Sequence, residues 1–369
     1  MLYRKIRSYI DDHLRSNKDK ILLIEGARQI GKSYIIRDVG TELYDNYVEI
    51  NFVEDDAGDK IFRNVRTTEE FYLNLSMVVG SKLDRYENTL VFIDEIQHYP
   101  QFLTMLKFFR QEHRYRFICS GSLLGIALKK TVSVPVGSII PRKMYQLDFE
   151  EFLIANDFGE DAIKHLRKSF EQTQPLPQEI HDKVLGLFKR YLLVGGMPDA
   201  VNEYLNSHNI VKVREVQEAI RELYGVDASR YEEDAAKKLY IRRIYDMIPS
   251  QMENKKKRIV AKDILDRKGD RFSNYVEEFE YLINSGITIP SHAISNPKYP
   301  LAESQQKNLL KLYMNDVGML TSQLYHYNIQ PILNDIASIN LGSVYESAVA
   351  QELKAHYEKL FYYDNKQKG

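Results

Sequence analysis

A lysine and a serine closing a glycine-framed loop, Gly26-Ala27-Arg28-Gln29-Ile30-Gly31-Lys32-Ser33, are the residues of this chain best suited to holding a phosphate. Gly26 and Gly31 are expected to supply backbone torsions that side chains would forbid, so that consecutive N–H groups turn inward around an anion where a helix begins. The Lys32 ammonium would reach the β- and γ-phosphates, and the Ser33 hydroxyl would ligate Mg²⁺.

Two acids are placed to complete that chemistry. Thr89-Leu90-Val91-Phe92-Ile93 is an apolar run that ends in Asp94-Glu95, the pattern of a Walker B strand. Asp94 would hold the Mg²⁺ shell, and Glu95 would orient or deprotonate the water that attacks the γ-phosphate. Neighbouring side chains on a strand point to opposite faces, so both acids can face one site only at the strand's end. A third polar strand end, Ser120-Gly121-Ser122, offers Ser122 as a sensor of the terminal phosphate. Arg142 is the first candidate for a cation that meets the γ-phosphate, in cis or from a neighbouring subunit. Arg110 and Arg114 compete with it.

These groups need strands that end at a common edge. Ile21 to Ile24 reads as a buried strand and Ser33 to Val39 as a helix with apolar Ile35, Ile36 and Val39, the order a phosphate loop requires. Tyr47 to Phe52 alternates as a strand, and Asp55 to Gly58 turns into a further helical region. A helix from about Gln101 to Glu112 precedes the strand Arg116 to Ser122. Strand and helix alternate, so the expected fold is α/β around a parallel sheet. Leu2, Ile6, Ile10 and Leu14 form the apolar stripe of a leading helix beside it.

A chain of 369 residues has room for two to three units. Lys and Arg number 51 against 52 Asp and Glu, so no global basic field announces nucleic acid and any such contact must use a local patch. The one cysteine, Cys119, excludes an internal disulfide framework and a cysteine-rich zinc site, and reads as buried filler. The histidines show no metal spacing. No apolar run approaches the ~20 residues of a membrane span, and the start lacks a signal-peptide core, so a cytoplasmic protein is expected.

The motifs together resemble a known family. Gly26 to Ser33, Phe92-Ile93-Asp94-Glu95-Ile96-Gln97, Gly121-Ser122-Leu123-Leu124-Gly125 and Val134-Pro135-Val136-Gly137 are similar to the prokaryotic AAA-type (AAA+/STAND-like) ATPases that carry a domain of unknown function numbered 4143. Asp148 to Leu153, Tyr191 to Pro198 and Lys311 to Gly318 follow in that family's order. The resemblance implies an α/β P-loop NTPase (AAA-like) core over 1–150, a helical lid over 151–208, a helical, winged-helix-like domain over 209–330, and the start of a restriction-endonuclease-like domain over 331–369.

Residues 150 to 205 read as helices broken at Gln174-Pro175-Leu176-Pro177 and at Gly195-Gly196, the latter a hinge or a helix stop before Pro198. Over 236–300, Lys237-Lys238, Arg242-Arg243 and Lys255-Lys256-Lys257-Arg258 precede two short helical patterns, Val260 to Asp266 and Ser273 to Ile283. The strand pattern Gly286 to Pro290 would be a wing, an arrangement able to contact DNA. Glu346, on a helix from Gly342 to Ala355, would be the first metal acid of an endonuclease-like site. The later acid and the Glu-x-Lys element would lie beyond Gly369, so Glu346 is read as a helix-surface or capping acid.

The expected function is an Mg²⁺-dependent ATPase whose nucleotide state controls the C-terminal modules, with ATP, DNA through 236–300 and a homo-oligomer as partners. The alternative is a nucleotide-locked switch or scaffold that scarcely hydrolyses and acts through protein partners. A small-molecule kinase shares the loop, but no acceptor pocket is legible.

Overall fold

The computed structural model describes residues 2–16, 19–51, 60–80, 88–122, 137–231, 234–254, 257–266, 269–334, 341–356 and 359–363. The turn at Asp55 to Gly58, Leu123 to Gly125, Val134 to Val136, and Lys255 and Lys256 of the basic run lie outside the described residues. The chain divides into two compact units, Arg4–Tyr145, and Gln146–Gly369 together with the first three residues.

The first unit is a five-stranded sheet of β1 (Ile21–Glu25), β2 (Asn46–Asn51), β3 (Thr89–Asp94), β4 (Arg116–Gly121) and β5 (Ile139–Lys143). Its order is β2-β3-β4-β1-β5 and every pairing is parallel. Parallel strands covered on both faces read as unbroken apolar runs, as in Leu22-Leu23-Ile24 and Leu90-Val91-Phe92-Ile93, all fully buried. Among the described residues, the helices of this unit include α1 (Lys5–Arg15), α2 (Lys32–Leu43), α3 (Thr68–Val79) and α4 (Pro100–Glu112). The core behind β3 and β4 is aromatic, with Phe71, Phe102, Phe109 and Phe117 in one cluster and the Phe109 and Phe117 rings stacked 4.7 Å apart. Cys119 is buried in the same cluster, and burial pushes its thiol up, away from reactivity. Because all five strands run the same way, the carboxyl ends of β1, β3 and β4 share one edge, where ligands of open α/β sheets bind.

The second unit begins with α5 (Phe149–Ala155), α6 (Glu160–Glu171), α7 (Gln178–Val194), α8 (Pro198–Ser207), α9 (Ile210–Tyr231) and α10 (Ala235–Glu253). It continues with α11 (Lys262–Leu265), α12 (Val276–Asn284), α13 (Val317–Tyr325), α14 (Gln330–Leu333) and α15 (Gly342–His356). Its sheet holds β6 (Thr288–Ile294) between β7 (Gln305–Met314), antiparallel, and β8 (Leu360–Tyr363), parallel. The segments that the sequence separates into lid, winged-helix-like and terminal domains therefore belong to one compact unit.

The strand expected as a wing is β6, the middle strand of the sheet, buried except at Pro290 and His292. The Gly195-Gly196 segment is a helix stop. Gly195 caps α7 in the left-handed region at φ 74°, and Pro198 opens α8. A Cβ on Gly196 would stand 2.0 Å from the Leu147 carbonyl oxygen, so the close approach is what requires glycine there.

Candidate functional site

The loop after β1 is built by conformation at two positions and by close approach at a third. Gly31 sits at φ 87° and Gln29 at φ 64°, both left-handed, which turns the chain into α2 at Lys32. Gly26 has no positive φ. It is needed because a Cβ there would meet the Met144 carbonyl oxygen at 2.3 Å. This corrects the expectation that both glycines serve by torsion. Arg4, 6% exposed and invisible as a site residue in the sequence, donates to the Ile30 carbonyl at 2.9 Å and to the Tyr145 carbonyl at 2.5 Å, pinning the loop to the segment that follows β5. Lys32 is buried and curls back so that Nζ donates to the carbonyls of Ala27 (2.8 Å) and Gly26 (3.1 Å). The ammonium is thus held within the loop it would share with a phosphate.

Asp94 is the centre of the constellation. The Ser33 hydroxyl donates to its Oδ2 at 2.6 Å, joining the two residues that the sequence assigns to a metal. The Asn51 amide approaches the same oxygen at 3.5 Å, a consequence of the register that pairs Asn51 with Asp94 across β2 and β3. Oδ1 accepts from the Ser120 hydroxyl and from the Glu95 N–H at 3.0 Å. Burial pushes the Asp94 carboxyl above its ordinary range, opposed by the Ser120 and Ser33 hydrogen bonds. A cation seated against it would favour the ionised form.

Glu95 stands just past the end of β3 in the left-handed region, at φ 49°. For a residue other than glycine this costs about 1 kcal/mol or more, and it reorients the side chain that strict strand alternation would send to the opposite face. Gln97 donates to Glu95 Oε2, the Ser122 hydroxyl donates to the same oxygen at 3.2 Å, and Gln97 also donates to Ser122 at 3.3 Å. Arg28 Nε lies 3.9 Å from Glu95 Oε1. Burial pushes this carboxyl toward its neutral form, but the charges of Lys32 and Arg28 and the Gln97 hydrogen bond outweigh it and hold Glu95 below its ordinary value. Glu95 is therefore an ionised carboxylate with its orientation fixed from two sides.

Lys32, Ser33, Asp94, Glu95 and Ser122 are brought together, with Gly26 to Ile30 forming the loop around them. Arg142 is not. It lies exposed on β5, the sheet's edge strand, with its guanidinium over the Tyr9 ring at 4.6 Å. Arg110 binds Asp19 at 2.5 Å and the Gly137 carbonyl at 3.2 Å, and Arg114 stacks on Tyr72 at 4.5 Å. Ser120, placed with Ser122 by the sequence at a strand end able to sense the γ-phosphate or position water, donates to Asp94, whereas Asn51 and Gln97 make contacts that sequence reasoning did not assign. The available signal was their place at or just past strand ends, which many turn-forming residues share.

In the second unit, Glu346 accepts from Lys257 and Lys311 at 2.8 Å each and from the Tyr313 hydroxyl at 2.7 Å. Burial raises its pKa, yet these three donors bring it down to about 2. Glu346 is thus the half-buried hub of a basic cluster, inside its helix and not a capping acid. Basic residues of the 236–300 segment also have acidic neighbours, with Lys237 2.5 Å from Glu277 and Arg242 3.7 Å from Asp246.

Residues 18–153 match the family model described as an AAA domain, and residues 185–327 match one described as a domain of unknown function (DUF8612). The second stands where the resemblance named a domain numbered 4143. No curated protein matches the chain. Among solved structures, the Walker-type ATPase PABY2304 of Pyrococcus abyssi aligns over 88% of this chain and 96% of its own, with 15% identity and a TM-score of 0.52. Cdc6p of Pyrobaculum aerophilum aligns over 89% and 92% at 13% identity and TM-score 0.30. AMPPCP-bound DnaA of Aquifex aeolicus aligns over 77% and 89% at 10% identity and TM-score 0.33. At 15% identity the likeness to PABY2304 is one of fold, an AAA-like α/β sheet followed by a helical region.

Proposed function

We propose, taking as premise that residues 18–153 are an AAA domain of the P-loop ATPase class, that this chain binds and hydrolyses ATP with Mg²⁺ and uses its nucleotide state to control the C-terminal unit. The observation that carries the reading is the 2.6 Å hydrogen bond from Ser33 at the loop to Asp94 at the end of β3. It joins two motifs 61 residues apart into one polar site, with Glu95 held ionised beside it.

The loop N–H groups from 26 to 33 and the amino end of α2 would bind the phosphates, with Lys32 exchanging its loop carbonyls for phosphate oxygens. Ser33 and Asp94 would hold Mg²⁺, which when bound neutralises charge on the transferring phosphoryl group. The fit rests on the donor set, a hydroxyl and a buried carboxylate already in contact. Glu95 would orient the attacking water and accept its proton, while Gln97 and Ser122 keep the carboxylate in place.

The runner-up is a nucleotide-locked switch that turns over slowly and acts through protein partners. The arginine geometry favours it, since Arg110, Arg114 and Arg142 each engage a group outside the Asp94–Glu95 cluster. Arg142, exposed on an edge strand, is proposed to act in trans from a second copy. DNA contact through 236–300 is a further proposal, motivated by exposed Arg242, Arg243 and Arg271. Among the described residues no helix is long and apolar enough to cross a membrane, and a cytoplasmic location is proposed from the sequence.

Steady-state ATPase measured across protein concentration, with and without duplex DNA, tests these readings together. Turnover that rises with concentration or DNA supports assembly-dependent hydrolysis. Bound nucleotide with negligible turnover throughout selects the switch.

A further inference from the structure

We propose that Asp148, Glu352 and His356 form a divalent-cation site with the chemistry of a zinc site, independent of the nucleotide reading. Among the described residues, their ligand atoms are brought within 4.8 Å of one another. Glu352 and His356 are four residues apart on α15, so they project from one face a turn apart. Asp148 comes from far away in sequence, as the N-cap of α5.

The two carboxylates are oriented from behind. Asp148 Oδ1 accepts the Glu151 N–H at 2.8 Å, which turns Oδ2 toward His356, 4.0 Å from its Nε2. Glu352 Oε1 accepts the Phe149 N–H at 2.9 Å and lies 3.0 Å from the Tyr191 hydroxyl. Such outer partners are what fix metal-binding side chains in natural sites. The Asp148–His356 separation is too long for a hydrogen bond. Donors sharing one Zn²⁺ stand roughly 3.3 Å apart, given metal–ligand distances of about 2.0–2.2 Å. His356 is 54% exposed at the end of its helix, so a small side-chain rotation closes the difference and leaves an entry path from solvent.

An imidazole with two carboxylates suits Zn²⁺ better than Mg²⁺, which prefers an all-oxygen shell, and water would fill the fourth position. Such an ion would tie the start of α5 to the closing helix α15, about 200 residues later. Binding would therefore raise the thermal stability of the folded chain by mass action.

The test uses the intact chain, stripped with chelator and desalted. Zn²⁺ is titrated by calorimetry in excess Mg²⁺, retained metal is measured by mass spectrometry, and Tm is recorded with and without Zn²⁺. Wild type should retain one Zn²⁺ per chain and gain Tm. His356→Ala removes an exposed ligand, and Glu352→Gln keeps the shape of its side chain. Each should lower affinity by more than the roughly 10–100-fold caused by altering groups around a metal ligand, and should lose the Tm gain. Wild type that retains no zinc, or both variants matching wild type in stoichiometry and affinity, would overturn the assignment.

Discussion

Asp94 and Asp316 are both buried carboxylates, 3% and 0% exposed, and burial pushes the pKa of each upward. They differ in what surrounds them. Around Asp94 the donors are the hydroxyls of Ser33 and Ser120, the Asn51 amide and one backbone N–H. Hydroxyls rotate and can become acceptors, so this acid can trade partners for a cation. Around Asp316 the donors include the backbone N–H groups of Gly196 at 2.6 Å and Met319 at 3.0 Å, with the buried Arg214 nearby in charge. Gly195 and Gly318 bring main chain against main chain there, and a Cβ on Gly318 would lie 2.6 Å from the Gly195 nitrogen. Backbone donors cannot turn away, so Asp316 is locked in place as part of the fold. A perturbed pKa alone does not separate these roles, because structural networks perturb pKa values as well. The exchangeability of the partners does.

The sharpest way to break the contrast is at Glu95. Glu95→Gln should lower ATP turnover by about 10²–10⁴-fold while leaving ATP binding in place, measured by single-turnover kinetics. Wild-type turnover in that variant would remove Glu95 from the reaction. On the structural side, Gly196→Ala places a methyl 2.0 Å from the Leu147 carbonyl oxygen and 2.9 Å from its nitrogen, neither of which can yield as a side-chain tip would. A loss of more than about 3 kcal/mol by urea unfolding is expected, and an unchanged midpoint would contradict the packing described.

Asp316 supplies a pH test with a definite sign. Its folded pKa is raised to about 6 from the ordinary value of 3.8, so the protonated folded form is favoured relative to the unfolded chain. That contribution is fully present below about pH 4 and is lost as pH rises through 6, on the order of 3 kcal/mol at about 1.4 kcal/mol per pKa unit. Asp316→Asn should flatten the slope of stability between those values, and an unaltered slope would assign it to other groups. The smallest effect contrasts two glycines of one helix. Gly186 lies inside α7, where an added Cβ would have nothing within 4 Å, so Gly186→Ala should add about 0.5–1 kcal/mol, unlike the cap at Gly195. A destabilised Gly186→Ala would mean that its surroundings are tighter than described.

What the sequence made legible was local. Lys32 and Ser33 announce themselves by spacing within eight residues, and Asp94-Glu95 by the apolar run before them. The strands at 21, 89 and 116 read as apolar because a parallel sheet buries both faces. What escaped depends on register and long-range packing. Asn51 reaches Asp94 only because β2 pairs with β3 in one register, and nothing in either segment states it. Arg142 finds Tyr9 across 133 positions, and Glu346 finds Lys257 across 89. His356 looked isolated because its acid partners sit one helical turn back and at the N-cap of α5. The left-handed turn at Glu95 and the close approach at Gly26 have no composition signature, yet they shape the site.

The loop from Gly26 to Ser33 is proposed to grip a nucleoside triphosphate. Calorimetric titration of Mg²⁺·ATP into the intact chain and into Lys32→Ala tests it most directly. Saturable binding by wild type, with loss of tight binding in the variant, is the predicted result. Absence of heat and of uptake in the wild-type chain, with adenine and guanine nucleotides alike, would contradict it.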